Sequence, residues 1–409
     1  MKKKTTEADK RVPSSPSPTP PSERNVSLDA LRGFALLGIL VINVQTFSMP
    51  FEALSNPTLY GGFEGTDYVS WLVAHVFFEG SFITLFTVMF GAGVVLFTES
   101  KEEKGQPAET LYYRRTLWLL LIGLAHAYLL WYGDILVMYA LCGFFVVGLR
   151  DRGPSTQVRL GVALFALPTL LYIVLGPGAS PELWNPSQEA LQSQIDAYRG
   201  GWLAQMGHRV PTALSQHTNT FLLQSFWRIS GLMLVGMAVF RWGVLTNERG
   251  AREYVRLFAA GVSTGIPLIL AGVWYISSNG WSADAALWWA PFNYIGSVLV
   301  GFGYVGGLML YLKRRSGGVV ARALAAVGRT AFSNYLLQTV IATSIFYGHG
   351  LGLFGTVSRT EQMGFVVAIW AVQVPLSVLW LRRYRFGPVE WLWRTLTYGE
   401  RQPMRVESE

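Results

Sequence analysis

Residues 115–149 read RTLWLLLIGLAHAYLLWYGDILVMYALCGFFVVGL. Two apolar runs, 115–131 and 135–149, flank the turn Trp131-Tyr132-Gly133-Asp134. A helix of about 20 apolar residues covers the ~30 Å hydrocarbon core of a bilayer, and burial or tilt accommodates slightly shorter ones. The stretch therefore reads as two membrane helices joined by a tight turn. His126 lies well inside the first run. A titratable side chain at that depth is costly unless it faces protein or water, so His126 is the first candidate for function.

The same pattern extends along the chain. Ten apolar stretches are separable: 31–49, 78–98, 115–131, 135–149, 158–176, 221–240, 255–276, 288–312, 331–348 and 364–381. Of 409 residues 51% are hydrophobic and only 14% charged, well below the ~25% of a soluble domain, so the expected class is all-α and polytopic. The net charge of +8 would suggest a nucleic-acid partner in a soluble chain. Here the basic residues sit at the ends of apolar runs and read as topology signals, which removes nucleic acid and leaves the lipid bilayer as the expected partner. One side of the alternation collects 29 of the 33 Lys and Arg residues, and the loops of the other side carry Arg199, Arg209 and Arg359. By the positive-inside rule this places both termini in the cytoplasm and requires an even number of spans, which ten satisfies.

Residues 1–24 are basic and Pro/Ser-rich and are expected to be disordered. No apolar core of a secretory signal precedes Leu31, so the first apolar run is expected to stay as an anchor. Residues 25–398 form one multi-span domain with a long loop at 177–220 on the sparsely charged side, and 399–409 form a short tail. Cys142 is the sole cysteine, which excludes an internal disulfide framework. No HExxH, Walker loop or CxxC pair occurs, and no metal or permanently bound cofactor is expected. Gly301-Phe302-Gly303-Tyr304-Val305-Gly306 matches GxGxxG but lies within an apolar run, so Gly303 and Gly307 read as a small-residue helix contact.

Helical rise orders the remaining polar candidates by depth. His126 lies eleven residues past Arg115 and Asn43 eleven past Arg32, so both sit ~16 Å from the basic boundary. Asn43 and His126 are level neighbours that either converge on a site or tie helices together. By the same arithmetic Asp134 should lie some two turns beyond His126 and pair with it only if the turn folds inward. Asp134 is then a rim residue that either complements the dipole of the next helix or serves function. Tyr139 is an alternative hydrogen-bond partner for the imidazole. Asn334 and Gln338 share a helix face flanked by Ser333 and Tyr335, a stripe unsuited to lipid that lines a passage or joins helices. His75 and Glu79 are four apart and would meet at the membrane surface, as an ion pair or an acid/base pair. Arg228, about two turns inside its span, either snorkels or binds an anion. At the start of the first span Ser27 is expected to cap, Asp29 to complement the dipole, and Arg32 to pair with Asp29 or grip the phosphates of a cytosolic donor.

With NVSLDALRGFALLGILVINV (25–44), LFTVMFGAG (85–93), LIGLAHAYLLWYGDILVMYAL (121–141), GRTAFSNYLLQTVIATSIFYGHGLGLFG (328–355) and RFGPVEWLWRTLT (385–397), the chain resembles the YeiB-like family of bacterial multi-pass inner-membrane proteins. The resemblance places weight on Asp29, Arg32, Asn43, His126, the Gly133-Asp134 turn, Asn334 and Gln338. The opening Ser-Leu-Asp-x-x-Arg-Gly is also similar to that of membrane acyltransferases such as heparan-alpha-glucosaminide N-acetyltransferase. That similarity implies transfer of an acyl group from cytosolic acyl-CoA, as co-substrate, to a hydroxyl or amine acceptor such as an envelope glycan or small molecule. In those enzymes the active histidine follows the first span; here the intramembrane histidine belongs to the third. His126 is then the catalytic candidate, with Arg32, Asn43, Asp134, Tyr139, Asn334 and Gln338 binding substrate. Two other readings stand beside it: a proton-coupled transporter or exporter relaying protons through His126, and a non-catalytic scaffold or sensor.

Overall fold

The computed structural model describes residues 25–175 and 184–406. The expected tail 1–24 and the start of the 177–220 loop lie outside the described residues. The described residues are helical throughout apart from turns and one isolated bridge, Tyr384 with Arg405. The first helices are α1 (Val26–Ser48), α2 (Gly65–Val73, continued by a π turn Ala74–Phe78), α3 (Ser81–Glu102), α4 (Ala108–Leu129) and α5 (Leu136–Val146). They are followed by α6 (Pro154–Leu175), α7 (Gln188–Arg199), α8 (Met206–Ser215) and, after a π segment Gln216–Ser225, α9 (Phe226–Arg241). The chain ends with α10 (Ala251–Ser278), α11 (Ala283–Arg315), α12 (Val319–Arg329), α13 (Ala331–Phe346), α14 (Arg359–Trp380) and α15 (Pro388–Tyr398).

Each of the ten apolar stretches coincides with helix. Among the described residues six segments are long and apolar enough to cross a membrane: Val26–Ser48, Gly65–Glu102, Met206–Arg241, Ala251–Ser278, Ala283–Arg315 and Arg359–Trp380. Of the remaining helices on the apolar stretches, α5 and α13 are shorter and α4 is more polar. The 115–131 stretch is the inner part of α4, whose first two turns carry Glu109, Arg114 and Arg115, and 331–348 is the 16-residue α13.

Helices α1, α3, α4, α5 and α13 surround the middle of the molecule, and α1 is buried along most of its length. The α10–α11 pair packs beside this centre through glycines. A Cβ on Gly261 would lie 2.6 Å from the Gly303 backbone nitrogen, so the GxGxxG-like run is a close helix contact, as its apolar setting implied. At the start of α1 the cap is Asn25, not Ser27: Asn25 Oδ1 accepts from the Ser27 and Leu28 N–H groups at 2.9 and 3.3 Å. The expected Asp29–Arg32 pair forms at 2.9 Å.

Two contacts fix the ends of the helices that carry the site. The last carbonyl of α4, Leu129, accepts from Arg209 and from the Trp202 indole, both at 2.8 Å, so a cation meets the negative end of the helix dipole. At the other face, Glu390 of α15 accepts from the Phe332 and Ser333 N–H groups at 2.7 and 3.2 Å and caps α13. Burial pushes the Glu390 carboxyl above its ordinary range, and the hydrogen bonds from Ser333 and Phe332 work against that shift.

Candidate functional site

Helix α4 stops at Leu129, one turn after His126, and the Leu130 and Trp131 N–H groups both turn back to the His126 carbonyl at 2.9 and 3.0 Å. The turn that follows folds inward. Gly133 is packed so closely on the Trp131 indole that a Cβ there would overlap the ring. Asp134 is thereby returned to the level of the imidazole: Asp134 Oδ1 lies 2.7 Å from His126 Nδ1. The expectation that helical rise would separate these two residues is overturned, because the helix ends before the rise accumulates.

Asp134 Oδ2 accepts from the Val137 N–H at 2.9 Å, so one carboxylate both caps α5 and orients the ring. His126 Nε2 faces Thr339 Oγ1 on α13 at 2.9 Å. The Tyr335 ring packs 5.2 Å from the imidazole, and Trp131 stands edge-on at 6.1 Å. His126 and Asp134 are 2% and 1% exposed, so this triple of Asp, His and Thr is held away from solvent. A carboxylate only accepts, so in the neutral imidazole the proton sits on Nδ1 and the Nε2 lone pair takes the Thr339 hydroxyl proton. That is the arrangement of a general base with its orienting acid.

The other expected partners are placed elsewhere. Tyr139 does not reach the imidazole; its hydroxyl meets Thr87 Oγ1 at 2.8 Å and the Ile83 carbonyl at 3.3 Å. Asn43 is only half-buried, and both imidazole nitrogens already have other partners, so the two level residues do not converge. Asn334 donates to Ser377 Oγ at 2.8 Å, and Gln338 to Gln373 Oε1 at 3.0 Å; the polar stripe ties α13 to α14. Arg228 rests on Ser297 Oγ at 3.1 Å and over the Tyr294 ring at 4.6 Å, which is a packing role between α9 and α11. His75 and Glu79 do meet, at 2.7 Å, with His75 stacked on Trp71 and tilted against Trp289.

A cavity of about 340 Å³ opens between α1, α3, α4, α13 and α15 at the basic face. Arg32, Lys101, Arg115, Arg329 and Arg394 line it, against two carboxylates, Asp29 and Glu390. Arg115 is held between the Phe97 and Trp393 rings at 4.8 and 4.1 Å, and its carbonyl accepts from the Trp393 indole at 2.8 Å. Inside, the walls turn apolar: Ile39, Phe86, Met89, Phe90 and Leu119 lead to Ile135, Tyr139 and Tyr335. From Lys101 to Phe86 along α3 the depth is about 22 Å at ~1.5 Å per residue. Tyr335 lines the cavity, and its ring also packs on His126 with 5.2 Å between ring centroids. Beyond the imidazole lie stacked aromatics, with Phe47 on Trp131 at 4.1 Å and Tyr198 on Phe354 at 4.8 Å.

Two comparisons with known proteins bear on this arrangement. Over 92% of its length the chain is 34% identical to uncharacterized protein YeiB of Escherichia coli K12, covering 96% of that protein. The chain belongs to the YeiB family. It is also 34% identical over 97% of its length to uncharacterized protein YxaH of Bacillus subtilis, covering all of that protein. Residues 239–400 match the family described as a protein of unknown function, DUF418. That segment of this YeiB-family chain includes α13 and α15, and so contributes Tyr335, Thr339, Glu390 and Arg394.

Sequence reasoning missed Thr339, Lys101, Arg329, Arg394 and Glu390 as site residues. It used Arg115 only as a boundary marker. Thr339 follows Tyr335 by four and shares its face of α13, a spacing that would have exposed it. For α15 the signal was Glu390 and Arg394 four apart within an otherwise aromatic run.

Proposed function

We propose that the chain is an integral membrane acyltransferase in which acyl-CoA enters the basic-face cavity and His126 acts as general base for transfer to a hydroxyl or amine. The observation that carries this reading is a single cavity with five cationic side chains at one end and the His126–Asp134 pair behind a Tyr335 wall at the other. Arginine clusters suit phosphates, which they bind in a planar, multidentate way. A cavity of about 340 Å³ whose inner walls are apolar suits an acyl-pantetheine arm, with the nucleotide remaining at the mouth. The polar pair at the end of the arm is where a thioester would meet its base. In this reading ten helices span or insert in the cell membrane, and the basic face and both termini are cytoplasmic, as the alternation of Lys and Arg implies.

Purified protein in detergent or nanodiscs, given radiolabelled acyl-CoA and envelope-derived acceptors, should bind CoA and transfer the label, and His126→Ala should abolish transfer while retaining CoA binding. Absence of both binding and transfer would overturn the enzyme. A pH-gradient-driven flux in proteoliposomes that His126→Ala abolishes would put proton-coupled transport in its place.

A further inference from the structure

We infer that Thr339 is the acyl carrier: a hydroxyl nucleophile that holds the acyl group as an ester between donor and acceptor. This rests on the acyltransferase reading and goes further, by naming a two-step reaction and the atom on which the intermediate forms. The first observation is orientation. Threonines inside helices ordinarily return their hydroxyl to the carbonyl four residues earlier. Thr84, Thr87, Thr98, Thr212, Thr330 and Thr397 do so here at 2.7 to 3.0 Å. Thr339 stands apart: its carbonyl contact to Tyr335 is stretched to 3.5 Å, while the imidazole nitrogen is at 2.9 Å. Its hydroxyl is turned out of the helix and toward the base.

The second observation is the chain of partners behind that base. Asp134 at 2.7 Å holds the Nδ1 proton, and the Val137 N–H at 2.9 Å holds Asp134, so the Nε2 lone pair is aimed at Oγ1 by two fixed contacts. A nucleophile, a base within hydrogen-bond reach and a third group that orients the base are the elements of an activated hydroxyl. The third is position. Tyr335 lines the donor cavity, and Thr339 is one turn further along α13, about 6 Å farther from the basic face. An ester on Thr339 has passed the wall that separates the donor from the far side, once the Tyr335 ring swings aside to admit the thioester.

The step balances without another reactant. Thr339 Oγ attacks the thioester carbonyl and its proton passes to His126 Nε2. The C–S bond breaks, and the CoA thiolate takes that proton as it leaves. An acceptor hydroxyl then gives its proton to Nε2 and attacks the Thr339 ester, and the proton returns to Oγ as the ester C–O bond breaks.

The test is intact-protein and peptide mass spectrometry of the full chain incubated with acetyl-CoA and no acceptor. The expected result is a burst of about one equivalent of free CoA and one acetyl group on the peptide bearing Thr339. Thr339→Ser should keep the label. Thr339→Val, of the same shape, should lose it and lower transfer by about 10³-fold, the scale of a lost acid–base or nucleophilic contribution. An acetyl group found on His126, or transfer by Thr339→Val at the wild-type rate, would overturn the carrier and leave the enzyme standing. If no variant and no wild-type protein binds or consumes acetyl-CoA or longer acyl-CoA, carrier and enzyme both fall.

Discussion

Asp134 serves two partners with two oxygens, and both partners are buried. Removing it in Asp134→Ala strands the His126 Nδ1–H and the Val137 N–H together. An unpaired buried donor costs about 1–3 kcal/mol, so a loss of about 2–6 kcal/mol for the two should appear in detergent melts of the variant. Asp134→Asn retains the volume but places an amide where a carboxylate fixed the tautomer. Transfer should fall about 10²–10⁴-fold with little change in CoA affinity, read as a change in kcat rather than KM. Gly133→Ala tests the turn that makes the pair: its methyl group would overlap the Trp131 indole, and overpacking of this kind costs about 1–3 kcal/mol. If Gly133→Ala melts with the wild type, the inward fold of the turn is not what the structure describes.

Among the elements, α15 has the largest influence for its length. It is an 11-residue helix that caps α13 with Glu390, stacks Arg115 with Trp393 and places Arg394 in the cavity. Glu390→Ala should cost about 0.5–2 kcal/mol, the usual scale for a lost N-cap. The pH dependence has a definite sign. Burial raises the folded-state value of Glu390, so the folded protein binds this proton more tightly than the unfolded chain. The stability it contributes is complete below the unfolded value and is lost as pH rises through the folded one. Glu390→Gln keeps one acceptor oxygen and should flatten that slope between the two values; an unchanged melting profile across the interval would refute it. Helix α13 shows why element type alone is a poor guide to function. Its stripe of Asn334 and Gln338 is used on α14, and the adjacent stripe of Tyr335 and Thr339 faces His126.

For the whole molecule, the basic face and the cavity that opens on it form one electrostatic unit. If acyl-CoA binds as proposed, Arg115→Ala and Arg394→Ala should each weaken its binding and reduce the dependence on salt, measured by titration at two ionic strengths, because each removes a cation from the cavity mouth. Equal affinity at both salts would remove the phosphates from the mouth. The helical class, the apolar stretches that form the six membrane-length helices and the Asp29–Arg32 pair were legible from residues 25–381 without tertiary information. Run length and side-chain periodicity are set by backbone rise and by the cost of burying polar groups, which are local properties. His126 was legible as a candidate for the same reason, since its depth can be read from run length. Its partners were not. Depth arithmetic assumes that helices continue, and α4 stops one turn past His126 because Gly133 lets the turn pack on Trp131. Thr339 comes from a helix more than two hundred residues away, and only the packing of α4 against α13 decides that this hydroxyl, and not Asn43 or Tyr139, meets the imidazole.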